Sequence, residues 1–187
     1  AAEREIIEEA YAGDIIGVFD PGIFSIGDTL CAPGKKFRFD PIPTFAPEHF
    51  RRVRSLDTMK RKQFLKGMEQ IAQEGAIQIF KTPYTGMEEV IVGVVGTLQF
   101  DVLEYRLKNE YNVELYMEGL PYEYLRWIRS ADGEPVKEED LILGTDVKLV
   151  EDYKGNQLLL FGSQWAIGWT QERNRDLTFY EFGGGIA

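Results

Sequence analysis

A single cysteine, Cys31, and a single histidine, His49, are all that this chain of 187 residues offers to redox or zinc chemistry. One cysteine cannot close an internal disulfide, and a structural zinc site needs about four Cys or His ligands, so neither chemistry is expected. No stretch approaches the roughly 20 consecutive apolar residues of a membrane-spanning helix, and no basic, apolar, small-residue leader opens the chain. A cytoplasmic protein with no membrane partner is expected. Positive charge is also scarce: 21 Lys and Arg stand against 31 Asp and Glu, a net charge of -10. That excess argues against a general nucleic-acid binder, which gains affinity by replacing the counterions on phosphates.

Nucleotide-binding motifs are missing as well. A phosphate cradle of the form G-x-x-x-x-G-K-[ST] puts a lysine on the β- and γ-phosphates and a hydroxyl on magnesium. The one Gly-Lys pair, Gly34-Lys35, is followed by Lys36 and has Thr29 where the first glycine belongs. No N-K-x-D guanine motif occurs, and Asp14 to Gly17 fits D-x-x-G only as a chance match. A chain that opens Ala1-Ala2-Glu3 and runs at once into strand-like sequence reads as a piece of a longer protein whose activity lies elsewhere.

What the chain does contain is 44% hydrophobic and 13% aromatic residues, enough to bury a core of one to two domains. Residues 1–36 read as short strands with turns at Asp20-Pro21-Gly22 and Pro33-Gly34; alone they are too few to fold, so they complete a sheet or barrel formed elsewhere or pack on the rest of the chain. From residue 37 the pattern becomes strand, helix, strand, strand, helix, strand. A strand is expected over Lys36 to Ile42, and a helix capped by Asp57 runs to about Glu74, with Phe64, Leu65, Met68, Ile71 and Ala72 on one face and Gly75 as its stop. Ala76 to Lys81 and Glu89 to Val95 form a hairpin, turning between Pro83 and Gly86, whose second strand is apolar enough to be covered on both faces. Thr97 caps a second helix to about Tyr111 with two apolar stripes, one of Phe100, Leu103, Leu107 and Tyr111 and one of Leu98, Val102 and Tyr105. Two stripes predict two partners, the sheet and the segment after residue 119. Val113 to Met117 closes the unit.

The expected fold class is therefore α+β: remnant strands over 1–36, a ferredoxin-like βαββαβ unit over 37–118, and a second, smaller α+β lobe over 119–187. In that lobe Tyr122 to Arg129 is strand-like, Asp146 to Phe161 is a hairpin turning at Lys154-Gly155-Asn156, Ser163 to Arg173 is a helix, and Leu177 to Phe182 is a last strand.

Seven of the basic residues crowd between positions 51 and 66: Arg51, Arg52, Arg54, Lys60, Arg61, Lys62 and Lys66. They straddle a loop and the first turn of the first helix, where positive charge opposes the helix dipole. Arg61 points near the apolar side and is read as snorkelling or paired internally. The other six are the candidate contact residues for RNA or an acidic surface, weighed against an ordinary solvated face. No catalytic residue is assigned. His49 between Glu48 and Phe50 is read as structural, because no nucleophile sits in a recognisable setting. Cys31 is read as a buried small residue. The acid runs Glu88-Glu89 and Glu138-Glu139-Asp140 are read as solvated charge, so no metal is assigned. Trp127, Trp165, Trp169, Tyr122, Tyr124 and Phe161 are assigned to core packing in preference to base stacking.

The stretches Phe45-Ala-Pro-Glu-His-Phe-Arg-Arg-Val-Arg54, Lys60-Arg-Lys-Gln-Phe-Leu-Lys-Gly67, Glu74-Gly-Ala-Ile-Gln-Ile-Phe80, Ile91-Val-Gly-Val-Val-Gly-Thr-Leu-Gln-Phe100 and Glu104-Tyr-Arg-Leu-Lys-Asn-Glu-Tyr111 resemble the peptide chain release factor 3 family. Ala10-Tyr-Ala-Gly-Asp-Ile-Ile-Gly17 with Gly27-Asp28-Thr29 is similar to the closing strands of the barrel domain of translational GTPases. Beyond about residue 119 the similarity thins to Arg126-Trp127 and Gln171-Glu172-Arg173. The resemblance implies an intact protein that uses GTP and magnesium and removes class I release factors from the ribosome. The partners it implies are small-subunit RNA or protein and a class I release factor, and it turns the basic cluster toward ribosome contact. Two alternatives stand beside it: a small-molecule-sensing ferredoxin-like module, and the equivalent region of elongation factor G.

Overall fold

The computed structural model describes residues 5–24, 26–40, 45–83 and 89–181. Its elements in chain order are β1 (His49–Ser55), α1 (Arg61–Gln73), β2 (Gln78–Lys81), β3 (Glu89–Val94), α2 (Leu98–Tyr111), β4 (Leu115–Leu120), β5 (Tyr124–Ser130), β6 (Val147–Asp152), β7 (Gln157–Phe161), α3 (Gln164–Arg173) and β8 (Leu177–Tyr180). The architecture is mixed α+β. All eight strands join one antiparallel sheet in the order β4-β1-β3-β2-β6-β7-β5-β8. The two halves of that sheet meet at a short seam, where only Phe80 with Asp152 and Lys81 with Glu151 stand in register.

Local chemistry sets the helix ends. Asp57 accepts a hydrogen bond from the Met59 amide at 2.9 Å and starts a short 3-10 turn, Thr58–Lys60, that leads into α1. Gly75, at φ 78, ends it as the sequence requires. Phe64, Met68 and Ile71 are buried along α1, each contributing roughly 1.5–3 kcal/mol of hydrophobic stabilisation. Between Phe64 and Met68, Gly67 allows close approach of α2: a Cβ there would stand 2.8 Å from Leu107 Cδ1 and 2.9 Å from Tyr111 Cδ2. Thr97 does not cap α2, because it is itself helical (φ -60, ψ -26) and its hydroxyl makes no capping bond. Gln99 takes that role. Its Oε1 accepts from the Val95 and Gly96 amides at 2.9 and 3.0 Å, and its Nε2 donates to the Ala76 carbonyl at 2.7 Å.

Three apolar clusters alternate across the sheet as period-2 side-chain placement demands. Val90, Val92 and Val94 of β3 face α1 and α2. Ile91 faces the other way and shares a cluster with Phe50, Phe80, Leu125, Trp127, Val150, Leu158 and Leu160, which bridges the two halves of the sheet. Leu149, Leu159 and Phe161 face α3. Strand β3 is thus covered on both faces, as its near-continuous Val and Ile run predicts.

Several expectations are corrected. The first strand among the described residues is β1, and no strand forms over 36–40; Pro41 to Thr44 lie outside the described residues. Period-2 alternation fails to reveal β1 because its two core residues, Phe50 and Val53, point to opposite faces into different clusters, with arginines elsewhere. Over the described residues of 5–40 no strand forms, since a strand needs a partner to complete its ladder. The turn at Asp20 does form: its Oδ1 accepts from the Gly22 and Ile23 amides at 2.8 and 2.9 Å. The expected turn from Pro83 to Gly86, past Pro83, lies outside the described residues. The second stripe of α2 is not covered: Leu98, Val102 and Tyr105 are exposed, because the segment after residue 119 extends the sheet at β2 and packs on the face away from α2.

Candidate functional site

The structure divides the basic cluster. Arg51, Arg52 and Arg54 lie on β1, not in a loop, and a strand sends neighbouring side chains to opposite faces. Arg51 lays its guanidinium 4.3 Å from the centroid of the buried Phe100 ring on α2. Arg52, on the other face, reaches Glu89 through Nε and Glu118 through Nη1, both at 3.0 Å. One arginine thereby ties β1 to both of its neighbours. Arg54 stacks 4.6 Å from the centroid of Tyr116, its register partner on β4. Lys60 Nζ donates to the Asn112 carbonyl at 2.7 Å, at the left-handed residue that ends α2. These four cations are engaged in holding the fold.

Lys62 and Lys66 differ. They project from the face of α1 opposite Phe64, Gly67, Met68 and Ile71, and both are exposed. Among the described residues neither makes a hydrogen bond or ion pair. The first turn of α1 contains no acid, so positive charge stands at the positive end of the helix dipole without local compensation. Arg61 is exposed and does have a partner.

The remaining candidates separate by burial. His49 is exposed at the first position of β1, opposite Val94. Cys31 is exposed rather than buried, its thiol donating to the Phe37 carbonyl at 2.9 Å, because it lies in an exposed segment without strand or helix. Glu89 is committed to Arg52 and Glu88 lies outside the described residues. Glu138 to Asp140 form an exposed 3-10 turn. Trp127 is buried, and its Nε1 donates to Asp152 Oδ2 at 3.2 Å; Tyr122, Tyr124 and Phe161 also pack in or against clusters. Trp165 and Trp169 are the exceptions among these six aromatics: Trp165 is 72% exposed on the outer face of α3, and Trp169, half-buried and in no core cluster, lies 6.3 Å from it with Arg173 4.0 Å over its ring. The residues that face inward from α3 are the small or branched Ala166, Ile167 and Thr170, which leaves the indoles outside.

A second polar device went unread in the sequence. Arg106 on α2 donates through Nη1 to Glu74 at the end of α1 and through Nε to Glu110 at 2.8 Å. Its hydrogen bonds and charge hold both carboxyls below the ordinary glutamate range, and those carboxylates in turn push the guanidinium pKa up. Only the i, i+4 spacing of Arg106 and Glu110 was available from sequence; the reach to Glu74 needs the helix pair.

Residues 39–171 match the family model described as class II release factor RF3, C-terminal domain. This chain belongs to that family. It is 49% identical over 179 residues to a peptide chain release factor 3 from Symbiobacterium thermophilum, with 96% of this chain and 33% of the relative covered. Relatives of the same name from Gloeobacter violaceus and Listeria welshimeri are each 44% identical over 96% and 95% of this chain. The chain spans about a third of the length of these release factor 3 relatives.

The one Gly-Lys pair of the chain is placed by its local turn. Gly34 sits at φ 83 in an exposed turn, with the Lys35 amide bonded to the Ala32 carbonyl at 3.1 Å, so no ring of amides gathers there.

Proposed function

We propose that this chain is the ribosome-docking C-terminal region of a GTPase that removes class I release factors from the ribosome during translation termination in the cytoplasm. GTP and magnesium belong to the part of the protein outside this chain. Within it, β1, α1, β2, β3, α2 and β4 act as a ferredoxin-like unit, corresponding to 37–118, followed by a smaller lobe over 119–187. The segment before residue 37 closes a barrel when the strands that pair with it are present.

The observation that carries the docking reading is the pair Lys62 and Lys66. Every other assigned cation in the cluster contacts the protein's own rings, carboxylates or carbonyls, whereas these two are exposed and have no partner among the described residues. Their contact is the small ribosomal subunit, through RNA phosphate or an acidic protein surface, with a class I release factor bound to the same particle. Co-sedimentation of the protein with ribosomes at low and high salt tests this. Reversing both lysines to glutamate weakens binding, and against phosphate it lowers the log-log salt slope by about one per lysine. Unchanged binding and an unchanged slope overturn the reading.

A further inference from the structure

Helix α2 presents a second apolar ridge that no element among the described residues covers. Leu98, Val102 and Tyr105 are 71%, 46% and 68% exposed, opposite the buried Phe100, Leu103 and Leu107, and Val95, 43% exposed, lies just before the helix in the turn after β3. Isolated exposed apolar residues need no explanation, but a continuous ridge along one helix face marks a contact. Asp101 and Glu104 flank it and are exposed, so phosphate is repelled and the occupant is protein rather than RNA.

The position of the ridge identifies which protein. The chain preceding the sheet enters beside it: the Glu48 amide donates to the Val94 carbonyl at 3.0 Å, next to Val95, and the Phe45 carbonyl accepts from Gln78 Nε2 at 3.4 Å. Further upstream, Ile26 Cδ1 lies 3.4 Å from where a Cβ on Gly75 would stand. Gln99 ties that end of α1 to the start of α2 through the Ala76 carbonyl. The upstream chain therefore passes the end of the helix pair where the ridge begins. About two-thirds of the release factor 3 relatives lies outside this region, which is their C-terminal domain, so the missing part arrives at this end.

We propose that the Val95, Leu98, Val102 and Tyr105 ridge is the seat of the N-terminal part of the full-length protein. Size supports a tethered occupant. Four side chains fall far short of the roughly 20–30 residues a side that separate proteins use for a stable interface. A covalently linked neighbour, at an effective concentration of about millimolar, needs much less area. The inference rests on family membership and is independent of the ribosome contact at Lys62 and Lys66.

The test compares maleimide labelling of Val102→Cys in the full-length protein and in the 187-residue chain, each with Cys31→Ser and followed by peptide mass spectrometry. Glu69→Cys, on the exposed face of α1, is the control. The expected result is labelling at 102 about tenfold slower in the full-length protein, with equal rates at 69. Equal rates at 102 overturn the proposal. So does slowing that appears only when ribosomes are added, which assigns the ridge to the ribosome. Slowing in the short chain that grows with its own concentration assigns it to a second copy and overturns the proposal too. As a second measurement, Leu98→Asp with Tyr105→Asp lowers the melting temperature of the full-length protein and leaves that of the short chain unchanged; an equal effect on both also overturns it.

Discussion

Phe50 and Phe80 meet with ring centroids 6.1 Å apart and planes tilted by 45°, over the bare backbone of Gly93. A Cβ at position 93 would stand 3.0 Å from a carbon of each ring and 2.8 Å from Pro47 Cβ. The pair begins the cluster that joins the two halves of the sheet, so its packing couples them. Gly93→Ala is expected to cost about 1–3 kcal/mol through overpacking, read as a lowered midpoint in denaturant with little change in slope.

Asp152 organises the turn between β6 and β7. Its Oδ1 accepts from the Lys154 and Asn156 amides at 3.0 and 2.9 Å, while Oδ2 accepts from Trp127 Nε1 and Asn156 Nδ2. Asp152→Ala leaves these donors without their partner and is expected to cost about 1–3 kcal/mol in a thermal melt.

The clamp of Arg106 on Glu74 and Glu110 makes stability depend on acid. Both carboxyls have folded pKa values below the ordinary 4.5, so their contribution is fully present above that value and is lost as pH falls through the lowered folded values. Arg106→Met is expected to flatten the acid limb of a stability-against-pH curve while leaving neutral-pH behaviour much less affected. An acid limb of unchanged steepness would sink this account.

Charge reversal at Lys62 separates docking from folding. A glutamate near the start of α1 complements the helix dipole, so Lys62→Glu is expected to raise stability by about 0.3–1 kcal/mol while weakening ribosome binding. Chemical denaturation and co-sedimentation on the same preparation check both signs.

The tryptophans divide in the same manner. Trp165→Ala, at an exposed site with one aromatic neighbour, is expected to cost under about 1 kcal/mol, whereas Trp127→Ala empties part of the bridging cluster and costs about 3–5 kcal/mol. Acrylamide quenching of the parent protein should be dominated by Trp165, and Trp165→Phe should remove most of that component.

Much of the element order was legible because helices and hairpins announce themselves locally. The 3.6-residue spacing of Phe64, Met68 and Ile71, the cap at Asp57 and the stop at Gly75 need only neighbouring residues, as does the Val and Ile run of β3. The hairpin at Lys154 and the helix beginning about Ser163 were equally readable; that the Ser163 hydroxyl caps it by accepting from the Ala166 amide at 3.2 Å is seen in the structure. The site was legible in composition but not in arrangement. Seven basic residues in one stretch are visible in the sequence; that four of the six assigned as contacts are held by Phe100, Glu89, Glu118, Tyr116 and Asn112 is not, because those partners lie far along the chain on other strands and helices.

The amino-acid sequence alone determined where helices begin and end, which strand is covered on both sides, and the family resemblance carried by residues 45–111. Only the tertiary structure decided that β1 is a strand, which cations remain free, and which apolar stripe of α2 stays open. The physical reason is one of range: turns, caps and periodicity are interactions between residues a few positions apart, whereas the partner of a strand face, an arginine or a helix ridge is chosen by how distant segments pack.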